Sequence, residues 1–417
     1  MLAATTSATT ANHSQALKLL QISVQGVWGV AAHDAGSGTF AGVHAGPNAN
    51  AFITAIINIL LDAQGNANVS IDAKDGFASV RTGDGDDTIT MDVHSAAHIS
   101  SGKGDDSITI RTYAMSEAAR AYYPEGTVEV AAVYNVHSGD GNDTITIDTH
   151  GNVRNVYAGD GSDVIAIRST MEHSTDDENR TYLVRGAVSN IDAGAGDDTI
   201  LIEAEGMVSG IDGGSGNDTF HVSGSMVTGI YGGEGDDTFD VFGSTVSNLR
   251  GGEGDDTIVI TADRQVMGVW GGDGNDTIEI TAPTISIVNG GKGDDTIILN
   301  ATAPNAIAHI NLTAGDGHDV VHVNTSLAIE RFDGMGKRFD MSKAAIERTD
   351  EATLKITFDD ADDSVTVHLT GDMVGKPIAF DIYESGRLII RSEDRVAVPD
   401  LVEFTRPNNP VPDPSRA

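Results

Sequence analysis

Two stretches, Gly213-Gly-Ser-Gly-Asn-Asp218-Thr-Phe-His-Val222 and Gly251-Gly-Glu-Gly-Asp-Asp256-Thr-Ile-Val-Ile260, decide how the chain folds. Each is six turn residues followed by alternating apolar positions. A Gly-x-Gly-x-Asp core of this kind recurs eleven times, in turns that begin at Thr82, Ser101, Ser138, Ala158, Ala193, Gly213, Gly232, Gly251, Gly271, Gly290 and Ala314. Most starts are 19 or 20 residues apart. Intervals of 37 and 35 follow Ser101 and Ala158, and one of 24 follows Gly290. A fixed period of this length is the signature of a repeat architecture.

The rest of the period is patterned too. Val208-Ser-Gly-Ile211, Val227-Thr-Gly-Ile230, Val246-Ser-Asn-Leu249 and Val266-Met-Gly-Val269 each precede the next turn. Gly or Asn at the third place suits a backbone position with positive φ. One period therefore reads as turn, strand, corner, strand, corner. Such a unit can bury its apolar face only by stacking on its neighbours. The expected fold is all-β, a right-handed parallel β-solenoid with its glycine turns on one edge. Its core would hold Ile89, Ile108, Ile145, Ile165, Ile200, Phe220, Phe239, Ile258, Ile278, Ile297 and Val321. A second apolar row would run from Met91 to Val323. Gly65 and Val69, 20 residues before Gly85 and Ile89, point to a degenerate first coil.

Stacking also aligns the sixth-position carboxylates, Asp87, Asp106, Asp143, Asp163, Asp198, Asp218, Asp237, Asp256, Asp276, Asp295 and Asp319. Like charges in one row need a counterion. Carboxylates mixed with carbonyls suit Ca²⁺ better than Mg²⁺, which demands compact octahedral geometry. The chain has no cysteine, so thiolate metal sites and disulfides are excluded. Ordinary turn chemistry accounts for one Gly-Asp turn, but it does not require Asp at the sixth place eleven times over.

These turns resemble the Gly-Gly-x-Gly-x-Asp-x-apolar-x signature of RTX (repeats-in-toxin) proteins, over Gly65 to Val323. The resemblance implies Ca²⁺, about ten ions, held between successive turns by those eleven aspartates and by backbone carbonyls. Gly83, Gly85, Gly102, Gly104, Gly139, Gly141, Gly214, Gly216, Gly233, Gly235, Gly252, Gly254, Gly272, Gly274, Gly291 and Gly293 would shape the carbonyl cage. It also implies folding on extracellular calcium and secretion, usually by type I export. The chain departs from the family's 18-residue period with calcium on both edges. One calcium edge and a 19-residue coil look more like the calcium-bound solenoids of bacterial ice-binding adhesins. Those carry Thr after the second glycine of the motif. Here Asp84, Lys103, Asp140, Asp160, Glu234, Glu253, Asp273 and Lys292 stand there, and a charged row argues against ice binding. Thr at the seventh place (Thr88, Thr144, Thr199, Thr219 and later equivalents) reads as an outward β-favouring ladder. Ser162, Ala195 and His318 mark imperfect turns where weaker binding is expected.

Charge and composition agree. The formal net charge is -37, from 62 Asp and Glu against 25 Lys and Arg. Nucleic acid, which needs a basic footprint, is excluded as a partner. The most apolar run, Ala51 to Leu61, is too short for a transmembrane helix and reads as core. The N-terminal residues have no Sec-type pattern; their Ser/Thr/Ala content also resembles type III export signals.

The expected organisation is a tail and N-terminal cap over 1–62, with a short helix over His13 to Leu20, then the solenoid over 63–325. A β-rich C-terminal cap follows over 326–405, and a proline-rich flexible tail over 406–417. In the cap, Leu354–Phe358, Ser364–His368 and Ile378–Ile382 alternate as strands, and Glu384-Ser-Gly386 turns into Arg387–Arg391. Asp359, Asp360, Asp362 and Asp363 read as a solvated acidic loop. Insertions near 112–126 and 169–182 leave the same edge and carry Tyr113, Arg120, Tyr122, Tyr123, Glu125, Glu172, His173, Asp176, Asp177, Arg180 and Tyr182. These residues could bind polysaccharide or supply acid and base. No catalytic motif or paired metal-binding histidines stand out, and no catalytic residue is assigned. The leading functional expectation is a secreted, monomeric structural or adhesive module facing a polysaccharide or cell surface. A polysaccharide lyase or epimerase, and an exported host-directed effector, are the alternatives.

Overall fold

Alternation along a strand sends one side chain inward and the next outward. In Thr144-Ile-Thr-Ile-Asp-Thr149 it buries Ile145 and Ile147 and leaves Thr144 exposed. The computed structural model describes residues 65–116, 131–170, 186–304, 306–332, 344–358 and 363–374. It adds the backbone of strands Ala4–Thr6, Leu17–Val24, Val30–Asp34, Thr39–His44, Ile56–Ala63, Glu172–Thr175, Thr181–Val184, Ile378–Ile382 and Gly386–Ile390. The chain is nearly all β and folds as a parallel β-solenoid. It divides into two compact units, Met1–Ile260 and Thr261–Ala417.

In the first unit, in-register parallel pairing stacks Ile89 on Ile108, then Ile145, Ile165, Ile200, Phe220 and Phe239. All are fully buried. Phe220 and Phe239 stack with centroids 4.5 Å apart. The second strands do the same with Val133, Val153, Val188, Val208, Val227 and Val246. Each aliphatic side chain so buried contributes about 1.5–3 kcal/mol. Within these second strands, at a bend, Asn135, Asn155, Asn190, Gly210, Gly229 and Asn248 take φ between 55° and 67°. The Gly/Asn preference at the corner thus follows from its left-handed backbone.

The degenerate first coil is present: Ala67–Arg81 pairs in parallel with Thr88–Lys103, Val69 opposite Ile89. Two strands of the N-terminal region extend this stack, Thr39–His44 and Ile56–Ala63, both parallel to Ala67–Arg81. The helix expected over His13 to Leu20 is not formed where it is described. Leu17 to Leu20 belong to strand Leu17–Val24, antiparallel to Ile56–Ala63. The edge of an apolar strand, with its unpaired amides, outcompetes local helix propensity.

In the second unit Ile278, Ile297 and Val321 stack in register. The solenoid does not stop at 325. Ser326–Phe332 completes the coil in parallel with Ile307–Thr313. Ser364–Leu369 then lies parallel on His318–Val323, with Val367 opposite Val321. An antiparallel meander of Ala345–Arg348, Thr353–Thr357 and Ser364–Leu369 closes the unit. Ile378–Ile382 pairs antiparallel with Gly386–Ile390, as the Glu384-Ser-Gly386 turn predicts. Among the described residues no helix is long and apolar enough to cross a membrane.

Candidate metal centre

Each turn needs acceptors for its amides, and the structure supplies them from neighbouring turns. The fourth-place glycine donates to the third-place carbonyl of the next coil, as Gly104 N–H does to Asp140 at 2.7 Å. The fifth-place amide donates to the fifth-place side chain of the coil before, as Asn217 does to Asp197 and Asp236 to Asn217. The sixth-place amide donates to the next aspartate in the row. Asp87 N–H reaches Asp106 Oδ1 at 2.7 Å, and the relay continues through Asp143, Asp163, Asp198, Asp218, Asp237 and Asp256 at 2.7–2.8 Å. In the second unit Asp276 donates to Asp295 Oδ1, and Asp295 to Asp319 Oδ1.

Within each unit the aspartates therefore line up as the period predicts, and all eleven are buried. Two glycines per turn are required by geometry. Gly233 has φ 127°, and a Cβ there would run into the Gly214 carbonyl oxygen. The second glycine, Gly235 at φ 120°, is closed in the same way by the Gly216 carbonyl group.

Oδ1 takes the amide of the neighbouring aspartate, and in the middle turns of the first unit Oδ2 is left over. Oδ2 of Asp163, Asp198, Asp218 and Asp237 is buried with no hydrogen-bond donor, whereas at Asp87, Asp106 and Asp143 the first-place hydroxyls of Thr82, Ser101 and Ser138 come close enough to hold the carboxyl down. A buried acceptor without a partner costs about 1–3 kcal/mol, more when charged. Burial drives these groups toward the neutral form. It raises Asp106, Asp163, Asp198 and Asp218 to about 7 and Asp237 to about 6, with neighbouring aspartates adding to the shift. Asp87 and Asp143 rise for the same reason. In the last turn burial, then Asp295, pushes Asp319 to about 8.

The donor set fits a hard cation. A carbonyl oxygen lies near the spare carboxylate oxygen: a Cβ built at Gly213 would meet Asp218 Oδ2, the Gly232 carbonyl oxygen at 2.6 Å and the Phe220 ring at 2.8 Å. Gly232 repeats this with Asp237 Oδ2 and the Gly251 carbonyl oxygen at 2.5 Å. Among the described residues no three His, Asp or Glu side chains gather around one point. A cation in this row would thus be held by few carboxylates and several carbonyls, the ligand mixture Ca²⁺ accepts.

No family model and no curated protein matches the chain.

Three site features were not evident from the sequence. The fifth-place side chains work as acceptors, and Ser162, an imperfect residue by pattern, does so through Oγ to Asp197 N–H at 3.3 Å. Asp316, at the third place of the last turn, is buried and raised to about 7 by that burial. Arg331 is fully buried, pairs with Asp363 Oδ2 at 2.6 Å and lies 4.3 Å from the Phe358 ring centroid. Asp363 is thus no part of a solvated loop. Its carboxylate is buried because Arg331 and the Gly315 amide, at 2.8 Å, both donate to it. Arg331 was detectable: Leu327, Ile329 and Arg331 alternate inward on one strand.

Of the insertion residues, Tyr113 is described. Its hydroxyl reaches Asp92 Oδ1 at 3.3 Å, and Lys74 sits over its ring. The backbones of Glu172–Thr175 and Thr181–Val184 pair as an antiparallel hairpin, which places Glu172, His173 and Tyr182 on it. Arg120, Tyr122, Tyr123, Glu125, Asp176, Asp177 and Arg180 lie outside the described residues, as do Asp359, Asp360, Asp362 and the tail over 406–417.

Proposed function

We propose that the aspartate row is a calcium ladder and that the protein is a secreted, calcium-binding solenoid of the RTX type. The observation that carries this reading is the bare, buried Oδ2 repeated from turn to turn. Turn design alone gives no reason to bury an anion whose second oxygen meets no donor. A divalent ion between successive turns gives each spare oxygen a ligand, with carbonyls shaped by glycines such as Gly214, Gly216, Gly233 and Gly235 completing the shell. Mg²⁺ suits the site less, because it holds its water and demands tighter geometry. About ten ions would add about +20 and offset more than half of the -37.

Metal binding and folding are then one process. Without calcium the row repels itself; with it the coils stack. An extracellular setting, where calcium is abundant, suits such a chain, with export preceding folding. The role we assign is a structural or adhesive module that presents the faces of its stacked strands. Equilibrium dialysis against calcium tests the reading. It should find about ten ions bound per chain. One or none would overturn it.

A further inference from the structure

The first place of the turn divides the aspartate row of the first unit into two kinds. In the earliest turns it carries a hydroxyl, from Thr82, Ser101 and Ser138, all buried. Thr82 Oγ1 donates to the Ser101 carbonyl at 2.8 Å, Ser101 Oγ to the Ser138 carbonyl at 3.0 Å, and Ser138 Oγ to the Ala158 carbonyl at 3.1 Å. The same hydroxyls reach the carboxyls of Asp87, Asp106 and Asp143 in their own turns. Each hydroxyl thus serves two acceptors, the carboxylate of its own turn and the first-place carbonyl of the next coil. It has one proton to give and keeps two lone pairs.

The same two acceptors bound the first place of later turns, with no hydroxyl to serve them. A Cβ built at Gly213 would meet Asp218 Oδ2 and the Gly232 carbonyl oxygen, and one at Gly232 would meet Asp237 Oδ2 and the Gly251 carbonyl oxygen. No side chain fits there. Among the described residues Oδ2 of Asp218 and of Asp237 meets no donor. Ala158 and Ala193 stand between the two kinds. They are buried and bring a methyl group but no proton, and Oδ2 of Asp163 and Asp198 is bare as well. Buried acceptors need a proton or a cation. The hydroxyl turns draw the proton from the chain itself; the glycine turns have no such source.

We propose that the hydroxyls of Thr82, Ser101 and Ser138 stand in for the cation, so that these turns need calcium less than the turns at Gly213 and Gly232. This rests on the reading of the row as a calcium ladder. It makes the ladder uneven. The coils of Thr88–Lys103 and Thr144–Thr149 keep their structure as calcium falls, and those of Thr219–Glu234 and Thr238–Glu253 lose theirs first. An ion gains less at a hydroxyl turn, whose acceptors already share a donor, so those positions fill last. The first insertion leaves the stack between Ser107–Thr112 and Ala132–Asp140, within the part that needs the least calcium.

The test is hydrogen exchange of the full chain at neutral pH across a Ca²⁺ titration, followed segment by segment. In chelator the amides of Thr88–Lys103 and Thr144–Thr149 should exchange at least about tenfold more slowly than those of Thr219–Glu234 and Thr238–Glu253. Calcium should then protect the second pair far more than the first. Thr82→Val with Ser101→Ala and Ser138→Ala removes the three protons. It should lose the extra protection in chelator and regain it in calcium. Ala158→Ser with Ala193→Ser is the converse, adding a hydroxyl to a Cβ already in place. It should slow exchange of Val164–Ser169 and Thr199–Ala204 in chelator by about tenfold. Thr144→Val, which removes an outward hydroxyl, should leave exchange in chelator as in wild type. Equal exchange of both regions in chelator, with protection arriving at one common calcium concentration, overturns the proposal and leaves the calcium reading standing. So does a serine pair that gains nothing in chelator, or a triple variant that keeps the wild-type protection there. Both regions protected in chelator and unmoved by calcium would overturn the calcium reading as well.

Discussion

At the scale of the residue, two requirements share one turn. The aspartate must be charged to bind a cation, and the glycines must lack Cβ to let the turns approach. Asp237→Asn separates charge from shape. An asparagine keeps an oxygen for the Asp218 amide, which now reaches Asp237 Oδ1 at 2.8 Å. It removes the buried negative charge. In chelator the variant should therefore be more stable than wild type, and in calcium less stable, each by on the order of 1–3 kcal/mol. Urea midpoints in calcium and the residual β signal by circular dichroism in chelator measure this; a shift of the same sign in both would contradict the account. Gly233→Ala tests the other requirement. Its φ of 127° and the Gly214 carbonyl beside it forbid a Cβ, whereas Gly65, at φ 117°, has open space around it. Gly233→Ala should cost more than about 3 kcal/mol, and Gly65→Ala only the backbone strain of about 1–3 kcal/mol. Chemical denaturation in calcium compares them. The aspartate row was legible because an eleven-fold repeat is a strong signal. The division of labour between Oδ1 and Oδ2 was not, since it depends on which amide the next coil brings into reach.

At the scale of the element, the ends of the stack were harder to read than its middle. The repeating coils carry their register in every period, so Ile145 and its equivalents could be placed from spacing alone. The terminal strands lack that redundancy. Leu17–Val24 has a sequence that a helix could also use, and its pairing with Ile56–Ala63 is a long-range event. At the other end Ser364–Leu369 continues the stack without any turn motif. Arg331 then serves the closing elements as a fixed internal cation. Removing it leaves Asp363 buried without its ion partner. Arg331→Met should destabilise the unit Thr261–Ala417 by about 3–5 kcal/mol, while Arg331→Met combined with Asp363→Asn should recover much of the loss. Hydrogen exchange in Ser326–Phe332 and Ser364–Leu369 gives the readout. Unchanged protection in the single variant would show that the buried pair does not hold these strands.

At the scale of the whole molecule the governing quantity is charge. The folded-state carboxylates of Asp106, Asp163, Asp198 and Asp218 are raised by burial to about 7, from an ordinary value of 3.8. In that window the folded state without metal holds more protons than the unfolded chain. Its stability therefore falls as pH rises from about 4 to about 7 and levels off above. Calcium acts in the opposite direction. It competes with those protons, so its apparent affinity should weaken as pH drops below about 7. Circular dichroism in chelator should show more β structure at pH 5 than at pH 8; more at pH 8 would contradict the burial of the row. The central claim, that the row is a calcium ladder coupled to folding, is tested most directly by circular dichroism of the calcium-stripped chain during a Ca²⁺ titration, with Mg²⁺ as the control. The account predicts a cooperative gain of β signal with Ca²⁺ and none with Mg²⁺. A chain already folded in chelator at neutral pH and indifferent to Ca²⁺ would contradict it.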